Sequence, residues 1–524
     1  MNFKYGFQNN IGNNPFGLDF SDVEVSEKIL RIIKSEKLLK DIWLAGYIAK
    51  KVEELGGRAF LVGGIVRDYA MSINKQTNTV KDIDLEIFGL DKDRLEVLLK
   101  NLILSEVVSS KLNFKKSLEV NIVGKQYGVF KILGLDITLA RMDKRTKEGY
   151  GRKPEVEHDL NIDFKEAAFR RDLTINALGM NLKTAEIIDE FGGLKDIKNK
   201  ILRHVYDKNN KDTLFSDDPL RVLRVVQFGA RFGYSVAPET LDLCKTLYFG
   251  MSTGMDEPIG LPLLARERVG QEWVKMLGQA RRPSLGFDLA AKMLIFEKIH
   301  KNLNDFYVNR HSDWLGLLKA IDVLAAHADR RCFSEDLKVA YIISFLWVFA
   351  IVKIKRKSCS YVQTVLGSMH HSSFWRKFVA FMEDVTAIWE EDLFVKDQEK
   401  VDFCLRKISW LKTKLFNNNI GQDFGLKDIL FFIYIYNNFE LIKSDEIDLD
   451  NIEDVVEVTN YLNRAEYLGV AHSYESFITG EDVIGMGVES GERVRELLDR
   501  VLEKQLQGQI SDREDALDLL RKLV

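Results

Sequence analysis

The spacing of apolar residues changes twice along this chain, and each change marks a new kind of element. Over 22–55, Leu30, Ile33, Leu38, Leu39, Ile42 and Leu44 recur at helical intervals, and Gly56-Gly57 supplies a helix stop. From 58 to 141 the helical period gives way to short apolar runs. Those at 58–62, 82–88 and 135–141, with two more within 117–133, predict strands, and a helix is predicted over 92–102 between them. A mixed, mostly antiparallel sheet flanked by helices is an α+β arrangement rather than a doubly wound parallel sheet. After 235 the helical period returns and stays. It predicts helices over 238–248, 265–278, 283–299, 312–328, 335–352, 373–391, 400–413, 426–443, 451–467, 491–507 and 512–523. No proline follows Pro283, so nothing later in the chain forces a helix to break.

Composition narrows the class. A chain of 524 residues is too long for one hydrophobic core, and three or four domains are expected. Its 46% hydrophobic and 29% charged content is ordinary for a soluble globular protein. The longest apolar run, 339–352, is shorter than the roughly 18–20 residues a membrane span requires, so it predicts a buried helix and no membrane partner. Cys244, Cys332, Cys359 and Cys404 lie far apart with no CxxC pair, which argues against a zinc site or a disulfide framework and suits a reducing cytoplasm. The opening MNFKYGFQNN is polar and unlike a signal peptide. A net charge of −4 means that any nucleic-acid site must be a local basic patch. The run KIKRK at 353–357 is one candidate, with a solvated helix end as the other reading, and the seven acids of 445–457 predict an exposed connection.

The candidate chemistry begins at 60–88, FLVGGIVRDYAMSINKQTNTVKDIDLEIF. Strand alternation puts Asp82 and Asp84 on one face and Ile83 and Leu85 in a core. Two carboxylates on a strand face are either a solvated edge or a seat for divalent cations. Gly63-Gly64 upstream offers backbone N–H groups that no β-carbon shields from a phosphate, which favours the second reading. Three later stretches bear on it. RMDKRTKEGYGRKP at 141–154 has six Lys/Arg against two acids, and reads as a solvated loop or as a mobile basic loop beside a triphosphate or nucleic-acid end. In FRRDLTINALGM at 169–180, Arg170 and Arg171 cannot both be buried unpaired, and Asp172 is a candidate partner or a ribose acceptor. In SDDPLRVLRVVQFGARFGY at 216–234, Ser216, Asp217 or Asp218 can cap a helix whose first turn holds Pro219. Asp218, Arg221 and Arg224 then share one face, as an internal salt-bridge ladder or as a surface that reads base edges and neutralises phosphate.

These motifs together resemble the class II tRNA nucleotidyltransferases, the CCA-adding enzymes, and their relatives the bacterial poly(A) polymerases. The matching residues are LVGGIVRD at 61–68, DIDL at 82–85, RRDLTINAL at 170–178 and DDPLRVLR at 217–224. IIDEFGG at 187–193, KILRH at 200–204 and LLARERVGQEWVKML at 263–277 run as in that family, as do ITGEDVIGMG, QLQGQI and REDAL within 477–523. The resemblance covers about 58–300 and the last fifty residues, with a weak middle.

It implies an N-terminal nucleotidyltransferase palm followed by an extended all-α neck, body and tail. The expected division is an N-terminal helical extension at 1–57, the palm at 58–200, the neck at 201–300, a helical body at 301–440 and a tRNA-binding tail at 441–524. It further implies that Asp82 and Asp84 hold Mg²⁺ and are catalytic, and that Gly63, Gly64, Arg67, Arg171, Asp172 and Arg224 bind the nucleotide. Asp218 and Arg221 would choose CTP and ATP by hydrogen bonds to the base, and Asp136 is a further acid near the metals. The implied partners are CTP, ATP and the 3′ end and elbow of tRNA. Departures from the family pattern are a longer span from Arg67 to Asp82 with an added turn at 72–79, Gln227 in place of a common arginine, and Asp217-Asp218 in place of Glu-Asp. In the middle, Ser344 and Phe345 stand where some bacterial members carry a metal-binding His-Asp pair, so no phosphatase activity is expected. His327, His370 and His371 remain near in sequence and read as structural.

Overall fold

Ser35 starts a new helix inside the first helical stretch: its backbone is extended and its Oγ accepts from Leu38 N at 3.3 Å. The 22–55 region is therefore a short helix, Glu27–Leu30, followed by helix α1, Glu36–Glu54. The computed structural model describes residues 18–33, 35–73, 82–112, 120–123, 129–144, 155–157, 159–207, 215–247, 250–251, 263–299, 301–352, 373–390, 398–415, 424–444, 456–471 and 473–524. The added turn from 74 onward, the basic loop beyond 144, the KIKRK run and His370-His371 lie outside these residues. The chain divides into two compact units, Met1–Gly229 with Gly233–Leu264, and Ala230–Phe232 with Ala265–Val524.

The first unit is built on a seven-stranded sheet. Its strands are β1 (Arg58–Val62), β2 (Ile83–Phe88), β3 (Asn121–Val123), β4 (Val129–Ile132), β5 (Leu135–Leu139), β6 (Gly179–Met180) and β7 (Ile187–Ile188), in the order β3-β4-β5-β2-β1-β6-β7. Only β2 and β5 run parallel; every other neighbour in this sheet is antiparallel. The α+β expectation holds. Alternation works as the sequence pattern requires, with Ile83, Leu85 and Ile87 completely buried on one face. Asp84 and Glu86 take the other face, and Phe88 packs there edge-on against Phe60. Helix α2 (Gly64–Ile73) leaves the end of β1, α3 (Lys92–Ile103) follows β2, and α1 packs on β1 and β2. Helix α4 (Phe164–Phe169), with a capping box of Asp163 and Glu166, brings Phe164 against Phe60 and Phe88. Helices α5 (Gly193–Asn199) and α6 (Leu220–Phe232) complete the part of this unit that bears on the site.

The second unit is helical among its described residues. Its longer helices are α7 (Arg266–Gln279), α8 (Pro283–Lys292), α9 (His311–Arg330), α10 (Glu335–Val352), α11 (Ser373–Glu390), α12 (Gln398–Leu415), α13 (Leu426–Asn437), α14 (Val456–Tyr467), α15 (Glu492–Leu506) and α16 (Arg513–Leu523). Two predicted helices are each split in two. Leu294, at φ 59°, separates α8 from Ile295–Ile299, and Asn438 separates α13 from Phe439–Lys443. The apolar run at 339–352 is the interior of α10, which packs against α7, α9 and α11. No helix among the described residues is long and apolar enough to cross a membrane.

Candidate active site

The acidic strand and the glycine turn meet because β1 and β2 pair with Val62 opposite Asp84. The next residue, Gly63, turns the chain at φ 70°, and a β-carbon there would sit 2.9 Å from Asp84 Oδ2. Backbone conformation and close approach together reserve the position for glycine. On the other side β5 runs parallel with Asp136 opposite Asp84. Asp136 is held by Lys131 at 2.9 Å. Asp82 is exposed, Asp84 half-buried and Glu86 fully buried, so the acidic face deepens residue by residue. Burial pushes the Asp84 carboxyl up to about 6, with Asp136, Asp82 and Glu86 adding to the rise and Arg171 opposing it.

The donor set suits a hard divalent cation. Asp82 and Asp84 offer carboxylate oxygens without sulfur or imidazole, and their crowding favours a positive charge between them. Among the described residues no three His, Cys, Asp or Glu side chains are arranged to enclose a metal. The remaining coordination would then come from water and substrate, as is usual for Mg²⁺.

Arg170 and Arg171 find a partner in Glu86 rather than in Asp172, which sets aside one of the two roles that the sequence left open for Asp172. Arg170 donates to Glu86 Oε1 at 2.7 Å and Arg171 to Oε2 at 3.0 Å. Burial alone would raise the Glu86 carboxyl, but the two guanidiniums outweigh it and hold it below the usual range. Asp172 is instead the centre of a second network. Its Oδ1 accepts from Leu173 N at 2.8 Å and Asn176 Nδ2 at 3.0 Å, and its Oδ2 from Arg224 Nε at 2.5 Å. Burial opposes ionisation of Asp172, yet Arg224, Asn176 and Arg221 hold it well below the ordinary carboxylate range. Asn176 carries the network to Arg67, whose guanidinium donates to Asn176 Oδ1 at 2.8 Å and to Asp68 at 2.9 Å. Arg67 and Arg224 both lie over the ring of Phe228, at 5.2 and 5.3 Å from its centroid.

The helix that carries Arg221 and Arg224 is thus anchored to the 170–176 segment. Asp218 Oδ1 accepts from Leu220 N at 3.1 Å at the start of α6, and Arg221 donates to the Arg170 carbonyl at 2.7 Å. Ten residues named from sequence therefore fall into one region of the first unit: Gly63, Gly64, Arg67, Asp82, Asp84, Arg171, Asp172, Asp218, Arg221 and Arg224. Arg67 lies deeper than a surface phosphate ligand, at 5% exposure. Its NH2 is 3.6 Å from where a Gly64 β-carbon would stand. Sequence reasoning missed Glu86, Asn176 and Phe228. The D-x-D-x-E alternation carried a signal for Glu86; the other two are set by tertiary contacts.

In the second unit, His327 is a packed residue. Its Nε2 lies 2.9 Å from Asp428 Oδ1, which Arg331 also binds at 2.9 Å, and its ring stacks on Phe431 at 4.2 Å. Ser344 donates back to the Ala340 carbonyl at 2.7 Å, and Phe345 is wholly buried among aromatic rings.

Residues 59–203 match the model of a poly A polymerase head domain. The chain is 36% identical over 249 residues to the multifunctional CCA protein of Psychromonas ingrahamii, covering 46% of this chain and 51% of that protein. It is 36% identical over 232 residues to the protein of the same name from Aliivibrio salmonicida, covering 43% and 46%. The chain thus spans about half the length of the curated relatives it matches. Its fold is that of the Bacillus stearothermophilus CCA-adding enzyme solved with CTP, at TM-score 0.55 and 18% identity, covering 94% of this chain and 98% of the other. The Thermotoga maritima CCA-adding enzyme solved with tRNA is similar at TM-score 0.54 and 18% identity, covering 95% and 98%. Residues 59–203 are thus similar to a poly A polymerase head domain, and about half of the chain is similar to multifunctional CCA proteins.

Proposed function

We propose that this protein is a template-independent tRNA nucleotidyltransferase that adds CCA, or part of it, to tRNA 3′ ends from CTP and ATP. The observation that carries the reading is the abutment of Gly63 on Asp84, which sets an acidic strand against an open backbone turn with Arg171 beside both. Asp82 and Asp84 would hold Mg²⁺, which when bound assists the primer 3′-hydroxyl as nucleophile and stabilises the leaving pyrophosphate. The chain's own groups do the rest. Gly63 and Gly64 would receive the triphosphate by backbone, with Arg171 neutralising it and Arg67 adding its charge from below Gly64. Asp172 would lie near the ribose while it fixes Arg224. Asp218 and Arg221 would offer an acceptor and donors to the base edge, replacing a nucleic-acid template. A base that left those groups unpaired would be rejected by their desolvation cost.

The expected setting is cytoplasmic, and the expected tRNA contacts of the tail are to backbone and shape rather than to sequence. The second reading, a poly(A) polymerase, is favoured by the head-domain match itself. Incubating the protein with tRNA lacking its 3′ end, Mg²⁺, and CTP or ATP separately and together distinguishes them by product length. A product three nucleotides longer only with both nucleotides is the expected result. A long ladder with ATP alone would replace this reading with the polymerase.

A further inference from the structure

Glu86 has no exposed surface, yet it stands on the same strand face as Asp82 and Asp84. Taking a carboxylate to full burial is costly, and two guanidiniums, one on each oxygen, offset that cost here. The consequence falls on Arg171. Glu86 holds it through NH2, and its Nε, buried as well, meets no hydrogen-bond partner among the described residues. Its NH1 lies 3.6 Å from where a Gly63 β-carbon would stand, so the guanidinium lies against the glycine turn. An arginine tethered through NH2, with NH1 beside an open backbone turn, has the form of a preset anion clamp.

We infer that Glu86 is the positioning residue that sets Arg171 for the incoming triphosphate, an inference that rests on the nucleotidyl-transfer reading above. Glu86 touches no substrate in this account. It acts by fixing the guanidinium before the nucleotide arrives, so its removal weakens nucleotide binding more than it slows the chemical step. A residue that merely supports the fold would produce neither that split nor a dependence on Arg171.

The test is a double-mutant cycle on the full-length protein with Mg²⁺ present. Equilibrium affinity for ATP and for CTP is measured for the wild type, Glu86→Gln, Arg171→Lys and the double variant, alongside KM, kcat and thermal melting. Glu86→Gln is expected to weaken nucleotide binding about tenfold or more, with a smaller change in kcat. In the Arg171→Lys background it should add no further loss. Wild-type affinity in Glu86→Gln, or a double variant weakened by the product of the two single losses, would overturn the inference. If Glu86→Gln does not fold, Glu86→Asp takes its place. It keeps the charge but withdraws the carboxylate by one methylene, and the same dependence on Arg171 is required of it. A wild type that binds neither nucleotide would remove the nucleotidyl-transfer reading itself. A wild type that binds both, with unaltered Glu86 variants, would remove only the role of Glu86.

Discussion

Arg224 donates through Nε to the Asp172 carboxylate at 2.5 Å, which ties helix α6 to the segment that also carries Arg170 and Arg171. Asp172 is buried and Arg224 lies partly open, so the pair behaves as an anchored acid with a semi-exposed clasp. Asp172→Asn keeps the shape but leaves Arg224 without its counter-ion. Roughly 2 kcal/mol of stability should be lost, because the buried side chain at 172 gives up a charge-assisted hydrogen bond while the freed Arg224 charge keeps part of its solvent. Thermal melting checks it. Nucleotide affinity should fall as well, since α6 loses its register against Arg170.

Gly63→Ala tests the turn. A left-handed φ of 70° costs a non-glycine residue roughly 1 kcal/mol, and the added carbon would press on Asp84 Oδ2 at 2.9 Å. Steady-state incorporation should fall tenfold or more, a loss out of proportion to the small drop in melting temperature. Near-normal incorporation would mean that the approach of the turn to Asp84 is irrelevant to the reaction.

Arg221 is expected to act on choice rather than on catalysis. Arg221→Ala should relax or abolish the preference among CTP, ATP, GTP and UTP in single-nucleotide extension of tRNA, while Asp82 and Asp84 stay intact. Unchanged selectivity would reduce the contact of Arg221 with the Arg170 carbonyl to a structural role.

His204 supplies a pH dependence. Burial, with the nearby Arg203 charge, pushes its imidazole down to about 4 from the ordinary 6.5. Thr240 Oγ1 accepts from His204 N at 3.0 Å and lies 2.8 Å from Nδ1, so its own proton is available to a neutral ring. Below pH 6.5 the unfolded chain binds a proton that the folded chain refuses until about pH 4, so stability falls across that window as pH drops. Melting curves between pH 7 and 4 should show this loss, and His204→Asn, which cannot charge, should show less of it.

Much of the fold was legible because its signals are local. Strand 58–62 follows from a short apolar run, strand 83–88 from two-residue alternation, and the later helices from their apolar period. What escaped lay outside those two patterns. Ser35 broke a continuous helical pattern through a cap that apolar spacing alone does not register. Glu86 was visible as the third acid of an alternating strand, but that its partners would be Arg170 and Arg171 depends on residues 84 and 85 positions away. Asn176 and Phe228 lie in two separate segments, and no pattern in the sequence links them. Their role as a bridge between Arg67 and Arg224 exists only in the fold.

The central claim is that Asp82 and Asp84 seat the metal on which transfer depends, and Asp84→Asn tests it most directly. Wild type and variant are given tRNA lacking its 3′ end, Mg²⁺, CTP and ATP, and products are resolved by length while melting is followed in parallel. Burial disfavours the Asp84 charge, so the variant should melt no lower than metal-free wild type. Its incorporation should nonetheless fall by about three orders of magnitude or more, the scale of a lost transition-state contact in a charge-dense site. A folded Asp84→Asn protein that still extends tRNA at close to the wild-type rate would contradict the account.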